Sequence, residues 1–376
     1  MRLSPRFRLA GSVRSAHNTS AFRAESQTAL LHQTGTPTGP MERFSQIVQR
    51  GLLVWLVLFS LLAFFWPKIF ENSTDPFVFT KPILMHLIAL IMFCIGCLVP
   101  KDEVNEVFRQ WPAVLGGTLI QYSVMPLLAF TAAHAFELSR EFFIGIIMAG
   151  CVPGAMASNV LTLAARGNVS YSICLTVSAT LLSPLIVPVT LMVALSSQLA
   201  DSTISFDVLW MMLKLLLTVV LPVIAGHLIC RWSEQLRRLV RFPAPIGANA
   251  VIIWIIAVVV ALNRQRLNDA AASSEVLVLA TALLILNLLG YLSGYAGGTA
   301  MKLPSGKRRA LSIEVGMQNA GLGTVLVLDF FKSEPAAAIP TALYTFGCMF
   351  TGTVLAQWWG RKSSDGRNND DPAAVW

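Results

Sequence analysis

Long apolar runs recur along the chain of 376 residues and leave few folds open to it. A helix needs about 20 mostly apolar residues to cross a bilayer, and ten runs approach or exceed that length. They cover residues 51–66, 82–99, 111–136, 142–163, 170–197, 207–230, 246–263, 275–299, 309–331 and 336–358. Charged residues make up only 13% of the chain, too few to cover the surface of a soluble domain, where about 25% is usual. The sequence therefore predicts an all-α polytopic membrane protein with ten transmembrane helices.

The basic residues between these runs predict the orientation. Sixteen Lys and Arg residues lie on the side that contains residues 42–50 and the C-terminus, and six lie on the other side. Cytoplasmic loops carry the excess of positive charge. We therefore expect a protein of the cell (inner) membrane whose two termini both lie in the cytoplasm. The net charge of +8 is scattered through these loops without an aromatic-interleaved patch, so we expect no nucleic-acid partner.

The two ends of the chain differ from the rest. Residues 1–40 contain five arginines, many Ser and Thr residues and a single acid, Glu25. This composition is typical of a transit peptide, which would place the protein in an organellar envelope; the alternative is a start codon set too early, with Met41 as the true start. We expect residues 1–41 and the polar tail 361–376 to be disordered.

The two halves of the membrane region repeat. Helix starts in the second half follow those in the first by 156 to 167 residues. Each half has five helices, an odd number, so the second half enters the membrane in the opposite orientation. The sequence thus predicts a 5+5 inverted repeat, residues 42–200 and 201–360, which is a common plan for secondary transporters.

The fourth run of each half carries residues that do not suit a membrane helix. Pro153 and Gly154 interrupt the first, because proline lacks an N–H group and glycine frees the backbone. The second contains Glu314, Gln318 and Asn319 among three glycines. Interrupted helices at matching positions of an inverted repeat indicate a binding site at the membrane midplane. Oxygen ligands there suit Na+, and the ends of the half-helices suit an anion.

Glu314 is the most informative of these residues. An unpaired charge at the bilayer centre costs about 2.5 kcal/mol or more, and a bound cation would offset this cost. We therefore interpret Glu314 as a cation ligand. The residues alone leave two alternatives open, a protonated carboxyl group with hydrogen bonds and a proton relay.

Three short blocks resemble the bile acid:sodium symporter family. They are PGAMASN at residues 153–159, ARGN at residues 165–168, and EVGMQN at residues 314–319, followed by Gly321 and Gly323. The resemblance covers about residues 42–360. It implies a panel domain of helices 1, 2, 6 and 7 and a core domain of helices 3–5 and 8–10, in which helices 4 and 9 cross where they unwind.

The resemblance also implies two sodium sites and a substrate site. The first sodium site would use Ser158, Asn159, Ser172, Thr176 and Glu314. The second would use Gln121, Glu314 and Gln318 with the backbone carbonyls of Val315 and Met317. The substrate would face Asn319 and the backbone around Ala155, Met156 and Ala157. The family often has Gly-Thr where this chain has Ala155-Met156, so a bile acid is not assumed as the substrate.

The function implied by the resemblance is sodium-coupled symport of a small organic anion, bile-acid-like or a small carboxylate, by alternating access. Na+ is the expected coupling ion, and we expect no organic cofactor. The alternatives are a proton-coupled transporter or antiporter in which Glu314 titrates, and a sensor that binds the anion without moving it. We expect no enzyme, because Gly-x-Ser-x-Gly, His-Glu-x-x-His and paired intramembrane aspartates are missing from the sequence. The sequence does not indicate an oligomeric state.

Overall fold

A computed structural model describes residues 51–71, 73–100, 103–196, 207–240, 243–271 and 274–365. The regular structure of these ranges is helical, apart from one isolated antiparallel bridge between Gly154 and Gln318. The N-terminal segment 1–41 and the boundary between the expected repeats at residues 200 and 201 lie outside the described residues. So do residues 366–376, whereas the last helix continues to Asp365.

The described helices are numbered here in chain order. They are α1 (Leu52–Ile69), α2 (Pro76–Phe79), α3 (Leu84–Leu98), α4 (Glu103–Arg109), α5 (Trp111–Ala135), α6 (Arg140–Cys151), α7 (Ala157–Ala164), α8 (Val169–Ala194), α9 (Val208–Leu215), α10 (Leu221–Trp232), α11 (Glu234–Val240), α12 (Pro243–Leu262), α13 (Arg264–Ala271), α14 (Glu275–Ala300), α15 (Ser305–Gly316), α16 (Ala320–Phe330) and α17 (Ala338–Asp365). Short 3-10 helices precede α3 and α17, and a π-helical turn at Leu216–Val220 joins α9 to α10.

Eight segments are long and apolar enough to cross a membrane. They are Leu52–Ile69, Lys81–Leu98, Trp111–Ala135, Val169–Ala194, Val208–Trp232, Pro243–Leu262, Glu275–Ala300 and Pro335–Arg361. These segments coincide with eight of the ten predicted runs. Large apolar side chains are exposed along them, for example Leu209 and Leu277, as expected where lipid is the solvent. The prediction of an all-α polytopic membrane protein is therefore confirmed for the described residues.

The other two predicted runs are each divided into two short helices. Residues 152–156 separate α6 from α7, and residues 317–319 separate α15 from α16. At the second break, the side chain of Asn319 starts α16 by accepting a hydrogen bond from Leu322 N at 3.2 Å. The positions of both breaks agree with the interruptions that the sequence predicts.

Proline alone does not explain where the helices break. Pro126 lies inside the continuous helix α5, and Pro184 and Pro188 lie inside α8. At Pro153, in contrast, the chain leaves the helix completely. The difference is that the second break lies opposite this one and provides hydrogen-bond partners, as described below.

The long helices form two packing groups. In the first, α3 packs against α10 and α12, and α1 packs against α12; in the second, α5–α8 and α14–α17 pack against one another. Helices α3 and α10 approach through their backbones, because a Cβ atom at Gly96 would stand 2.1 Å from Val223 O. A Cβ atom at Gly226 would stand equally close, 2.1 Å, to Phe93 O. Small residues at a helix interface permit this approach in membrane proteins.

Candidate functional site

The two helix breaks meet and satisfy each other's backbone groups. On one side of the bridge, Ala155 N donates to Met317 O at 2.8 Å, and on the other side Asn319 N donates to Pro153 O at 2.8 Å. Residues that leave a helix lose their hydrogen-bond partners, and an apolar interior contains no water to replace them. The two extended segments therefore pair like short strands. We call this pairing the crossing.

Glu314 lies next to the crossing near the end of α15 and is fully buried. Its Oε2 accepts a hydrogen bond from Ser158 Oγ at 2.5 Å, and its Oε1 accepts one from Thr176 Oγ1 at 2.7 Å. Within the described part of the chain, Glu314 forms no ion pair with a basic side chain. A buried carboxylate without a cationic partner is costly, so the site is suited to an added cation or a proton.

The missing side chain of Gly154 leaves room for the Glu314 carboxylate next to the backbone of the crossing. A Cβ atom at this position would stand 2.1 Å from Glu314 Oε1 and 2.7 Å from its carboxyl carbon. The sequence explains Gly154 only as a residue that opens the helix. The structure adds a steric role, because any larger residue would displace the carboxyl group.

The residues expected at the first sodium site lie together. Ser158 and Asn159 come from the first turn of α7, Ser172 and Thr176 come from α8, and Glu314 comes from α15. All five are buried, and both amide atoms of Asn159 are without a hydrogen-bond partner in the structure.

Sequence reasoning missed one member of this cluster. Thr162 is fully buried on α7, and its Oγ1 donates to Ser172 Oγ at 3.3 Å. A threonine one turn after Ser158 on the same helix was the available signal. It was ambiguous, because hydroxyl groups in membrane helices commonly bond to their own backbone.

Fewer hydrogen bonds connect the residues expected at the second sodium site than connect those expected at the first. Gln318 Nε2 donates to Val315 O at 2.8 Å, while Gln318 Oε1 is buried without a partner. Gln121 is buried on α5, and neither of its amide atoms has a hydrogen-bond partner. No hydrogen bond therefore links its side chain to the other expected ligands among the described residues. The carbonyl groups of Val315 and Met317 each accept one hydrogen bond, which leaves one lone pair on each oxygen.

A narrow cavity of about 20 Å³ extends from the crossing to the first packing group. Of the four residues expected near the substrate, Met156 and Asn319 line it, while Ala155 and Ala157 are half-buried and are not among the lining residues. The opposite wall is apolar and comes from α3, the residue that follows it, and α10; it consists of Met92, Ile95, Val99 and Val223. The sequence did not identify this wall, because apolar side chains are expected on every face of a membrane helix.

An ion pair lies away from the crossing. Lys214 on α9 pairs with Asp329 near the end of α16, and each side chain is about one quarter exposed. Lys214 Nζ also lies 5.5 Å from the centre of the Phe330 ring. Asp329 is about 15 Å along the helix from the break, at 1.5 Å per residue. It therefore belongs to a contact between α9 and α16 and not to the cluster around Glu314.

The chain is similar in sequence to known transporters. The family model described as "Sodium Bile acid symporter family" matches residues 85–270. The chain is 30% identical over 322 residues to the uncharacterized sodium-dependent transporter YocS of Bacillus subtilis (strain 168), which covers 86% of this chain and 94% of that protein. It is 29% identical over 323 residues to a probable sodium/metabolite cotransporter of Arabidopsis thaliana, BASS1, chloroplastic, covering 86% of this chain and 76% of that protein.

A more distant relative is the human sodium/bile acid cotransporter 4. The chain is 25% identical to it over 270 residues, which cover 72% of this chain and 60% of that protein. The names of these relatives describe transporters and not enzymes. This confirms the prediction that was based on the missing catalytic motifs.

The steric role of Gly154 is testable by a single methyl group. We expect Gly154→Ala to lower the thermal unfolding midpoint of the purified protein, because overpacking a well-packed site costs about 1–3 kcal/mol. Gly347→Ala on α17 is the matched control, since a Cβ atom there meets nothing within 4 Å. Equal midpoints for the two variants would contradict the placement of the Glu314 carboxyl group against Gly154.

Proposed function

The chain belongs to the sodium bile acid symporter family, and on this basis we propose that it is a symporter that couples sodium entry to the uptake of a small organic anion. The observation that carries the proposal is the fully buried Glu314, which receives hydrogen bonds from hydroxyl groups at the meeting point of two broken helices. Relatives are named as sodium-dependent transporters or cotransporters, which supports Na+ as the coupling ion.

We propose that the two divided segments are the fourth and ninth spans of a ten-helix, 5+5 inverted repeat. On this proposal residues 42–200 and 201–360 form the two halves. The first packing group, together with α9, is the panel, and the second packing group is the core. Support comes from the matching positions of the two breaks and from the closer packing of α1, α3, α10 and α12 with one another than with the second packing group.

The first proposed sodium site is formed by Ser158, Asn159, Ser172, Thr176 and Glu314. Each hydroxyl group that donates to the carboxylate keeps two acceptor lone pairs, so a cation could be bound without breaking the hydrogen bonds that hold Glu314. The unpartnered Oδ1 of Asn159 supplies a further oxygen. Hydroxyl, amide and carboxylate oxygens are hard ligands of the kind that suit Na+.

The second proposed site is formed by Gln121, Glu314 and Gln318 with the carbonyl oxygens of Val315 and Met317. Buried amide groups usually have hydrogen-bond partners, yet Gln121 Oε1 and Gln318 Oε1 have none in the structure. A cation beside the crossing would satisfy both oxygens. It would also use the remaining lone pairs of the two carbonyl groups.

The proposed substrate is an organic anion that binds beside Met156 and Asn319, with the backbone at Ala155 and Ala157 nearby, when the narrow cavity there widens. Helices α7 and α16 both begin at the crossing, so the positive ends of their dipoles favour negative charge there. The apolar wall from α3 and α10 suits the hydrocarbon part of such a molecule. Names of relatives mention bile acid or metabolites, and we propose only the class of organic anions for this chain.

We propose that transport proceeds by alternating access. Sodium would neutralise Glu314 and favour the arrangement of the crossing that binds the anion, which amounts to a positive coupling free energy between the two ligands. The core would then move relative to the panel and open the cavity to the other side. A membrane potential of about 100 mV adds about 2.3 kcal/mol for each sodium ion that enters.

We place both termini in the cytoplasm and the protein in the cell (inner) membrane. The support is the excess of basic residues on one side and the contacts that bring several of their segments together. Arg309 Nη1 donates to Ala165 O at 2.9 Å, and Asn168 N donates to Gly306 O at 2.9 Å. An organellar envelope is the alternative location if residues 1–40 form a transit peptide.

The role of Glu314 is testable without knowing the substrate. We expect NaCl, compared with choline chloride at equal ionic strength, to raise the thermal unfolding midpoint of the purified protein, because a ligand stabilises the state that binds it. Glu314→Ala should abolish this difference. Asp329→Asn, which also removes a carboxylate, should retain it. The reverse pattern would show that the sodium ligands lie elsewhere.

Proton coupling is the second candidate function, and it is favoured by the same buried carboxylate without a basic partner. Proteoliposomes separate the two candidates. Carboxylates and sulfonates are first screened for additional stabilisation in NaCl, and uptake of the best compound is then measured in sodium or choline medium across a range of pH. We expect uptake to require sodium at every pH. Full uptake in choline medium with an inward proton gradient would exclude sodium coupling and favour titration of Glu314.

A further inference from the structure

The last carbonyl group of α15 is engaged by two side chains from other helices. Gly316 O accepts a hydrogen bond from Asn287 Nδ2 on α14 at 2.8 Å and another from Tyr344 OH on α17 at 2.8 Å. The carbonyl groups at a helix end lack partners within the helix. Here, two buried side chains supply them, since Asn287 and Tyr344 are each only 1% exposed.

A third residue fixes the orientation of the asparagine. Thr351 Oγ1 lies 2.5 Å from Asn287 Oδ1 and 2.8 Å from Gly347 O, so these two acceptors share its one proton. Asn287 Nδ2 also lies 3.3 Å from Tyr344 OH. A reversed amide would place Oδ1 against the carbonyl oxygen of Gly316, where two acceptors would repel each other. We call Asn287, Tyr344 and Thr351 the Gly316 clamp.

Close packing keeps the clamp against the break. A Cβ atom at Gly290 would stand 3.2 Å from Gly316 Cα, and a Cβ atom at Gly316 would stand 2.2 Å from the ring of Tyr291. Helix α14 is also tied to α15 by Ser312 Oγ, which donates to Tyr291 O at 2.6 Å. Helices α14 and α17 therefore pack against the end of α15 and form hydrogen bonds with it.

The carbonyl groups of Val315, Gly316 and Met317 differ in how many hydrogen bonds they accept. A carbonyl oxygen has two lone pairs, and both lone pairs of Gly316 O are used by the clamp. Val315 O and Met317 O each accept only one hydrogen bond. The clamp thus uses both lone pairs of Gly316 O, whereas Val315 O and Met317 O each keep one lone pair that a cation could use.

We propose that Asn287 and Tyr344 are positioning residues of the second sodium site. They act through Gly316 and do not touch the ion. This inference rests on the proposed function, because it presupposes a sodium ion coordinated by Val315 O and Met317 O. Its consequence is that sodium affinity depends on a hydroxyl group on α17 that lies on the opposite side of the break from the ion.

The experiment is a sodium titration of thermal stability with purified full-length protein, in mixtures of NaCl and choline chloride. Tyr344→Phe removes one hydrogen bond to Gly316 and keeps the ring. We expect it to raise the sodium concentration at half-maximal stabilisation by about three- to tenfold, the range that corresponds to the loss of one buried hydrogen bond. Thr351→Val removes the hydroxyl group beside the amide of Asn287. We expect this variant to raise the sodium concentration at half-maximal stabilisation as well, by a smaller factor.

The matched control is Tyr171→Phe. Tyr171 OH also donates to a backbone carbonyl group, Ala113 O, at 2.8 Å, so this variant loses the same type of hydrogen bond away from the break. In choline medium alone, both phenylalanine variants should lose similar stability. Only Tyr344→Phe should shift the sodium titration.

The outcomes separate the two levels of the proposal. A wild-type protein without sodium-dependent stabilisation would overturn the proposed function and the clamp together. A wild-type protein that responds to sodium, with the same half-maximal concentration for Tyr344→Phe, would overturn the clamp alone. Equal shifts for Tyr344→Phe and Tyr171→Phe would also overturn it, because they would show a general loss of stability.

Discussion

Backbone pairing between two broken helices is the constraint on which the rest of the site depends. A break inside an apolar interior leaves N–H and C=O groups that lipid cannot satisfy, so one break alone would be unstable. Two breaks that face each other remove this cost, as the hydrogen bonds of Ala155 and Asn319 show. The crossing also brings α7 and α15 together. This places Ser158 within hydrogen-bond distance of Glu314, 156 residues later in the chain.

Both hydrogen bonds and steric space determine the position of the Glu314 carboxylate. Ser158 and Thr176 supply hydrogen bonds, while the missing side chain of Gly154 leaves the space that the carboxyl group occupies. Hydroxyl donors neutralise no charge, so the site remains suited to an added cation or a proton. An arginine or lysine in their place would form a permanent ion pair and remove that property. In the proposed function, the absence of a basic partner among the described neighbours of Glu314 leaves the carboxylate available to the coupling ion.

Much of this arrangement could be predicted from the sequence. Apolar length identified eight spans, and Pro153-Gly154 and the polar block at Glu314 located both breaks. The resemblance supplied the grouping of Ser158, Ser172 and Thr176. Single polar residues in apolar helices were not predictable, because they carry no periodic signal. Asn287 and Tyr344 could not be recognised as partners of Gly316 before the fold placed α14 and α17 behind the break. Lys214 and Asp329 could not be paired for the same reason.

The distribution of hydrogen bonds also indicates which interface is suited to movement. Opening the crossing would expose backbone groups that have no other partner in an apolar interior, and releasing Gly316 would break two further hydrogen bonds. The cavity wall on α3 and α10 is apolar, so apolar side chains there could slide past the crossing without leaving a polar group unsatisfied. The alternating access proposed above therefore requires the first packing group to move relative to an intact crossing. The ion pair between Lys214 on α9 and Asp329 on α16 joins the proposed panel to the proposed core, so it is a contact on which such a movement would act.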